Sequence, residues 1–186
     1  MTTPLQPDPP KFVPGSHGLS DAWQRYFSTP YVSDTLARLV GKNNPPVQVS
    51  SMARPPGADP RLQSGTTNLG TVQMYINPDD GIFTHELGHV LDMRSQVSGD
   101  GLEVTDSVRS IFNKKRPSAF TYESATGNLP AEYVAETFRM AMEIVRSSKP
   151  HDPQIQKAES RFPGTQAWYN WIQQRLNGSN TASTTP

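Results

Sequence analysis

The stretch Thr84-His85-Glu86-Leu87-Gly88-His89-Val90-Leu91-Asp92 constrains this chain more than any other. On an α-helix, residues four apart stack on one face, so His85 and His89 can present two imidazoles to one metal ion. Glu86 follows the first histidine and lies beside that face, within reach of a water. Zinc lowers the pKa of a bound water to about 7, and a carboxylate can take its proton and deliver it to a leaving amine. His-Glu-x-x-His is therefore the pattern of a zinc peptidase core. The competing reading is a chance match on a surface helix with two solvated histidines.

The flanks predict that this stretch is helical. Asp79 and Asp80 precede it, and acids suit a helix N-terminus. Ile82, Phe83, Leu87, Val90 and Leu91 give it an apolar side. Gly88 is a poor helix former, costing about 1 kcal/mol against alanine. A small residue between two ligands lets another backbone come close, which is a packing reason for its presence.

A catalytic zinc needs a third protein ligand and one open position. One common solution is a histidine six residues after the second, with glycine halfway. Those positions hold Ser95 and Asp92, which excludes it. His17 and His151 lie among prolines and read as loop histidines. The stretch Leu129-Pro130-Ala131-Glu132-Tyr133-Val134-Ala135-Glu136-Thr137-Phe138-Arg139 offers two carboxylates four apart. One can bind zinc, and the other can accept the free ring N–H of a ligand histidine and fix its tautomer. The alternative makes both surface acids, paired with Arg139 or with solvent.

His85-Glu86-Leu87-Gly88-His89, followed by Ala131-Glu132-Tyr133-Val134-Ala135-Glu136-Thr137-Phe138, resembles the metallopeptidase family of the anthrax lethal factor catalytic domain and the secreted Pro-Pro endopeptidases. Glu132 follows His89 by 43 residues, and the likeness covers roughly residues 70–145. The resemblance implies zinc, with His85, His89 and Glu132 as ligands and Glu86 as general base. Glu136 then orients a ligand histidine. It also implies a tyrosine hydroxyl aimed at the oxyanion of the tetrahedral intermediate. Its counterpart here is Tyr122, ten residues before Glu132.

The remaining chain sets the frame. At 186 residues it is long enough for one domain with its own core. Mean hydropathy is -0.61, and 18 prolines and 13 glycines cluster, which predicts long loops and tails. The expected division is a Pro-rich N-terminal arm at 1–18, a metallopeptidase domain at 19–176 and a disordered tail at 177–186. The expected fold is α+β and mostly helical, a zincin-like domain with a small sheet packed on the His-Glu-x-x-His helix. Gly70 to Asn77 is the best strand, with Val72, Met74 and Ile76 on one face. If that strand is an edge, it can add an extended peptide by backbone pairing, with Tyr75 touching substrate. The alternative is an ordinary interior strand. Further helices are expected at 104–112, 131–145, 153–159 and 164–176, with a loop at 117–130.

Lys+Arg and Asp+Glu are both 17, so charge gives no reason to expect nucleic acid or an anionic membrane. The run Lys114-Lys115-Arg116 suits a solvated helix end. The absence of cysteine removes disulfides and thiol chemistry together. No signal peptide is visible, and no stretch reaches the ~20 apolar residues of a spanning helix. Secreted and cytoplasmic settings both fit. The expected partner is a peptide or protein substrate, with a monomer the expected state. The leading expectation is a zinc endopeptidase. A non-catalytic zinc-containing interaction module, or a regulatory protease with one intracellular protein partner, are the alternatives. The intact Glu86 speaks against the module, which has no need of a base.

Overall fold

Apolar residues recur three and four apart through the second half of the chain, and that period closes into helices. In a computed structural model, the described residues are 11–12, 48–52, 65–68, 71–75, 80–99, 101–121 and 127–177. The helices are α1 (Asp80–Ser98), α2 (Leu102–Lys114), α3 (Leu129–Val145), α4 (His151–Arg161) and α5 (Thr165–Asn177). Each of the four helices expected after α1 is present, longer or shifted by one or two residues.

The α+β, zincin-like expectation is overturned. Residues 80–177, the body that holds the core, form five helices and contain no strand among the described residues. The expectation placed a small sheet containing the Gly70–Asn77 run against α1, and residues 65–68 and 71–75 do contact α1, but the body itself is helical. Within that body the packing is helix on helix, and every core side chain among the described residues comes from a helix or the loop after α2. Upstream of that body only short backbone pairings are described: β1 (Lys11–Phe12), β2 (Gln48–Met52), β3 (Gly65–Asn68) and β4 (Thr71–Tyr75), in the order β1-β2-β4-β3. β4 runs parallel to β2, with Val49 opposite Val72, and antiparallel to β3, with Thr67 opposite Val72. It therefore has neighbours on both sides, which removes the edge-strand reading.

α3 is the central element. It packs against α1, α2, α4 and α5. Nine of its 17 residues are buried, too many for a single apolar stripe, as a helix with four helical neighbours requires. Around it gather Phe83, Leu87 and Val90 of α1, Val108 and Phe112 of α2, and Trp168 and Ile172 of α5. Phe138 meets Trp168 edge to face, with ring centroids 5.1 Å apart. Side chains of this size each contribute roughly 1.5–3 kcal/mol when fully buried. A smaller cluster of Ile144, Ile155 and Ala158 joins α3 to α4.

Polar clasps fix the helices against one another. Asp92 of α1, almost fully buried, is paired with Arg109 of α2 through both Nε and Nη2. One turn on, the Ser95 hydroxyl donates to the Asp92 carbonyl at 2.7 Å and lies 3.0 Å from Thr105 Oγ1. The Tyr133 hydroxyl donates to the Pro163 carbonyl at 3.0 Å, tying α3 to the α4–α5 turn. That turn depends on Gly164, whose φ of 106° is left-handed and whose added Cβ would meet Val108 Cγ2 at 2.8 Å. The Glu159 carboxylate then accepts from the Gly164 and Gln166 backbone N–H groups, capping α5.

His151 is not a loop residue. It is the first residue of α4, following Pro150 as N-cap, and its ring lies 2.8 Å from the Tyr169 hydroxyl and 3.2 Å from the Ser147 carbonyl. Proline was misleading there because it suits a helix start as well as a loop. His17 lies outside the described residues. Lys114 and Lys115 are exposed at the end of α2, as a solvated helix end requires.

α1 and α3 come into backbone contact. A Cβ placed on Gly88 would stand 2.7 Å from Ala135 Cα and 3.1 Å from the Ala135 carbonyl oxygen, both backbone atoms. Helix propensity alone favours Gly88→Ala by about 1 kcal/mol. Overpacking against a backbone that cannot yield typically costs ~1–3 kcal/mol. Gly88→Ala should therefore destabilise the protein in urea unfolding. A variant more stable than wild type would show that the two helices are not in contact at this point.

Candidate metal centre

His85 and His89 lie one turn apart on α1 and turn toward α3. Their rings are 4.9 Å apart and nearly perpendicular. Glu132 sits in the first turn of α3, where a negative charge is favoured by the exposed backbone N–H groups. That turn is started by Asn128, whose side chain accepts from the Ala131 N–H at 3.4 Å, and by Pro130, which has no N–H to satisfy. The contact of α1 with α3 at Gly88 brings the three side chains together across 47 positions of sequence.

One carboxylate oxygen of Glu132 faces both imidazoles. Oε2 lies 3.1 Å from His85 Nε2 and 3.4 Å from His89 Nε2. One ligand atom from each of the three residues lies within 4.8 Å of the others. Two ligands bound about 2.0–2.1 Å from a tetrahedral zinc stand about 3.3 Å apart. The donor set and these spacings fit such an ion, with two imidazoles and one carboxylate and therefore one position left open.

The surroundings are charged and largely enclosed. Glu136, one turn after Glu132, has Oε2 at 3.5 Å from His85 Nδ1, the nitrogen that faces away from Glu132. Arg139 donates to both oxygens of Glu136, with Nη2 at 2.6 Å from Oε1 and Nε at 2.9 Å from Oε2, and its Nη1 pairs with Glu143. Burial opposes charge on His85. Its contacts with Glu132 and Glu136, and the nearby charge of Glu86, outweigh that and raise it from 6.5 to about 9. Burial likewise opposes charge on Glu132, but bonding to His85 and His89 brings it from 4.5 down to about 2. For Glu136 the bonds to Arg139 and His85 do the same, again to about 2.

Of the residues expected from sequence, the structure brings His85, His89, Glu132 and Glu136 into one cluster. Glu86 is 7% exposed on α1 beside them and contributes its charge to His85. Tyr122 lies outside the described residues. Tyr75 ends β4, and its side chain lies outside them too. The two readings of Glu136, histidine partner or Arg139 partner, are both satisfied by the same carboxylate. The outer pair Arg139–Glu143 was missed, although the step of three from Glu136 to Arg139 and of four from Arg139 to Glu143 was the signal. Comparison with protein-family models, curated proteins and solved structures returns no match.

Without metal, these ion pairs make stability depend on pH. His85 has a folded pKa above its unfolded value of 6.5, so its contribution is complete below 6.5 and is lost as pH rises through about 9. Glu132 and Glu136 have folded pKa values below their unfolded 4.5, so their contributions are complete above 4.5 and are lost as pH falls toward about 2. Thermal melting of chelator-treated protein should therefore be highest between about pH 4.5 and 6.5 and fall on either side. A melting temperature that rises from pH 6.5 to 9 would contradict the arrangement.

Proposed function

We propose that this protein is a zinc-dependent endopeptidase in which His85, His89 and Glu132 hold the ion and Glu86 is the general base. The observation that carries the reading is the convergence of two imidazoles and a carboxylate, from two helices, at spacings that suit a tetrahedral ion. Glu86 adjoins them without being one of the donors, as a base requires. The resemblance to lethal-factor-type metallopeptidases supports the same assignment and is part of this proposal. Among the described residues no helix is long and apolar enough to cross a membrane. Secreted and cytoplasmic settings both suit the activity.

Bound zinc supplies an acidified water and a Lewis acid for the scissile carbonyl. The protein residues do the rest. Glu86 takes the proton of the attacking water and returns it to the departing amine nitrogen. Glu136 accepts from the His85 ring and holds its orientation. The resemblance assigns the donor to the developing oxyanion to Tyr122. The substrate is a peptide or a protein segment.

Metal analysis and a peptide-library digest test the proposal together. Wild type should hold one zinc per chain and cleave peptides. His85→Ala and Glu132→Ala should lose the metal, and full retention in both would sink the site. Glu86→Ala should keep zinc and lose cleavage, because the base is not a ligand. Zinc retention with no cleavage by wild type would favour a non-catalytic module instead. Tyr122→Phe should keep zinc and lower turnover by about 10²–10³, the usual loss for one oxyanion donor. Wild-type turnover in that variant would assign the donor elsewhere.

A further inference from the structure

Resting on the zinc reading above, we infer that Arg139 is a positioning residue that fixes the Glu136 carboxylate, and through it the orientation in which His85 meets the ion. Residues 132, 136, 139 and 143 repeat at four, three and four, which sets them in one stripe along α3. The stripe runs outward, with side-chain exposure rising from 14% at Glu132 through 19% at Glu136 and 25% at Arg139 to 55% at Glu143.

Arg139 engages both oxygens of Glu136, at 2.6 and 2.9 Å. A planar guanidinium forked on a carboxylate fixes its plane as well as its position. The oxygen that takes the Nε–H is Oε2, which also stands 3.5 Å from His85 Nδ1. Arg139 thus sets the direction from which His85 meets its acceptor. Its far edge is held in turn by Glu143, one turn on. Arg139 also offsets one of three carboxylates, Glu86, Glu132 and Glu136, gathered around two imidazoles. A lysine there would supply the charge without the fork.

The test is zinc affinity of the full chain, measured by competition with a chromophoric chelator. Arg139→Gln should bind zinc about tenfold more weakly than wild type, the lower end of the range for such supporting partners. In a Glu136→Gln background the same change should have no effect, because the carboxylate it acts on is gone. Arg139→Lys should fall between wild type and Arg139→Gln, and it serves as the test where the glutamine variant does not fold. An equal loss in both backgrounds would overturn the inference, since it marks a role independent of Glu136. So would wild-type affinity in Arg139→Gln or, failing that variant, in Arg139→Lys. Both results leave the zinc site standing. Full zinc retention in both His85→Ala and Glu132→Ala overturns the site itself, and this inference with it.

Discussion

The approach of α1 to α3 at Gly88 and Ala135 is the contact on which the rest depends. Helices usually pack with axes 8–10 Å apart, a separation set by the side chains between them. Here one helix offers no side chain, and the backbones close to the point where a single Cβ would stand 2.7 Å from Ala135 Cα. Gly88 lies between His85 and His89, and Ala135 lies between Glu132 and Glu136. The two small residues thus sit at the centre of the polar cluster and determine its dimensions. A glutamate side chain spans the gap and meets both imidazoles with one oxygen. With a wider separation the same residues would face one another across solvent.

That cluster does not account for the stability of the body. Taking His85, Glu132 and Glu136 out of water is unfavourable, and burial opposes the charge on each of them. Their mutual pairing offsets the penalty, so each needs the others. Removing one partner from such a set commonly costs more than the pair was worth, because a buried charge is left behind. The net gain comes from the apolar side of the same two helices. Phe83, Leu87 and Val90 pack with Val134 and Phe138 in the main cluster, all essentially inaccessible to solvent. One helix pair therefore carries the core on one side and the charged site on the other.

Much of this was legible in the sequence because it is local. The four-residue spacing of His85 and His89, and of Glu132 and Glu136, follows from helical period alone. So does the reason for a glycine between two ligand positions. The apolar periods of α2, α3 and α5 gave their existence and their buried sides. What period cannot give is which elements meet. The α+β expectation failed on the body that holds the core, which among the described residues is helix on helix around α3. His151 was misread for a different reason, since proline marks helix starts and loops alike. The Arg139–Glu143 support lay in plain spacing, but an exposed ion pair and a functional one have the same sequence signature.

The stripe on α1 explains why the third donor comes from another helix. His85, His89 and Asp92 follow one another at intervals of four and three, so the next acidic group on this face is Asp92. Its carboxylate is almost fully buried and taken up by Arg109. Ser95, one turn later, is spent on the Asp92 carbonyl and on Thr105. The C-terminal half of the stripe thus holds α2, while His85 and His89 face Glu132 of α3. These commitments make α1 a beam fixed on two sides, by backbone contact at Gly88 and by the Asp92–Arg109 pair farther on. Side chains on such a beam keep their mutual geometry better than side chains on a loop would. With no further donor left on that face of its own helix, the pair of imidazoles depends on the first turn of α3, and Glu132 is the acid that stands there.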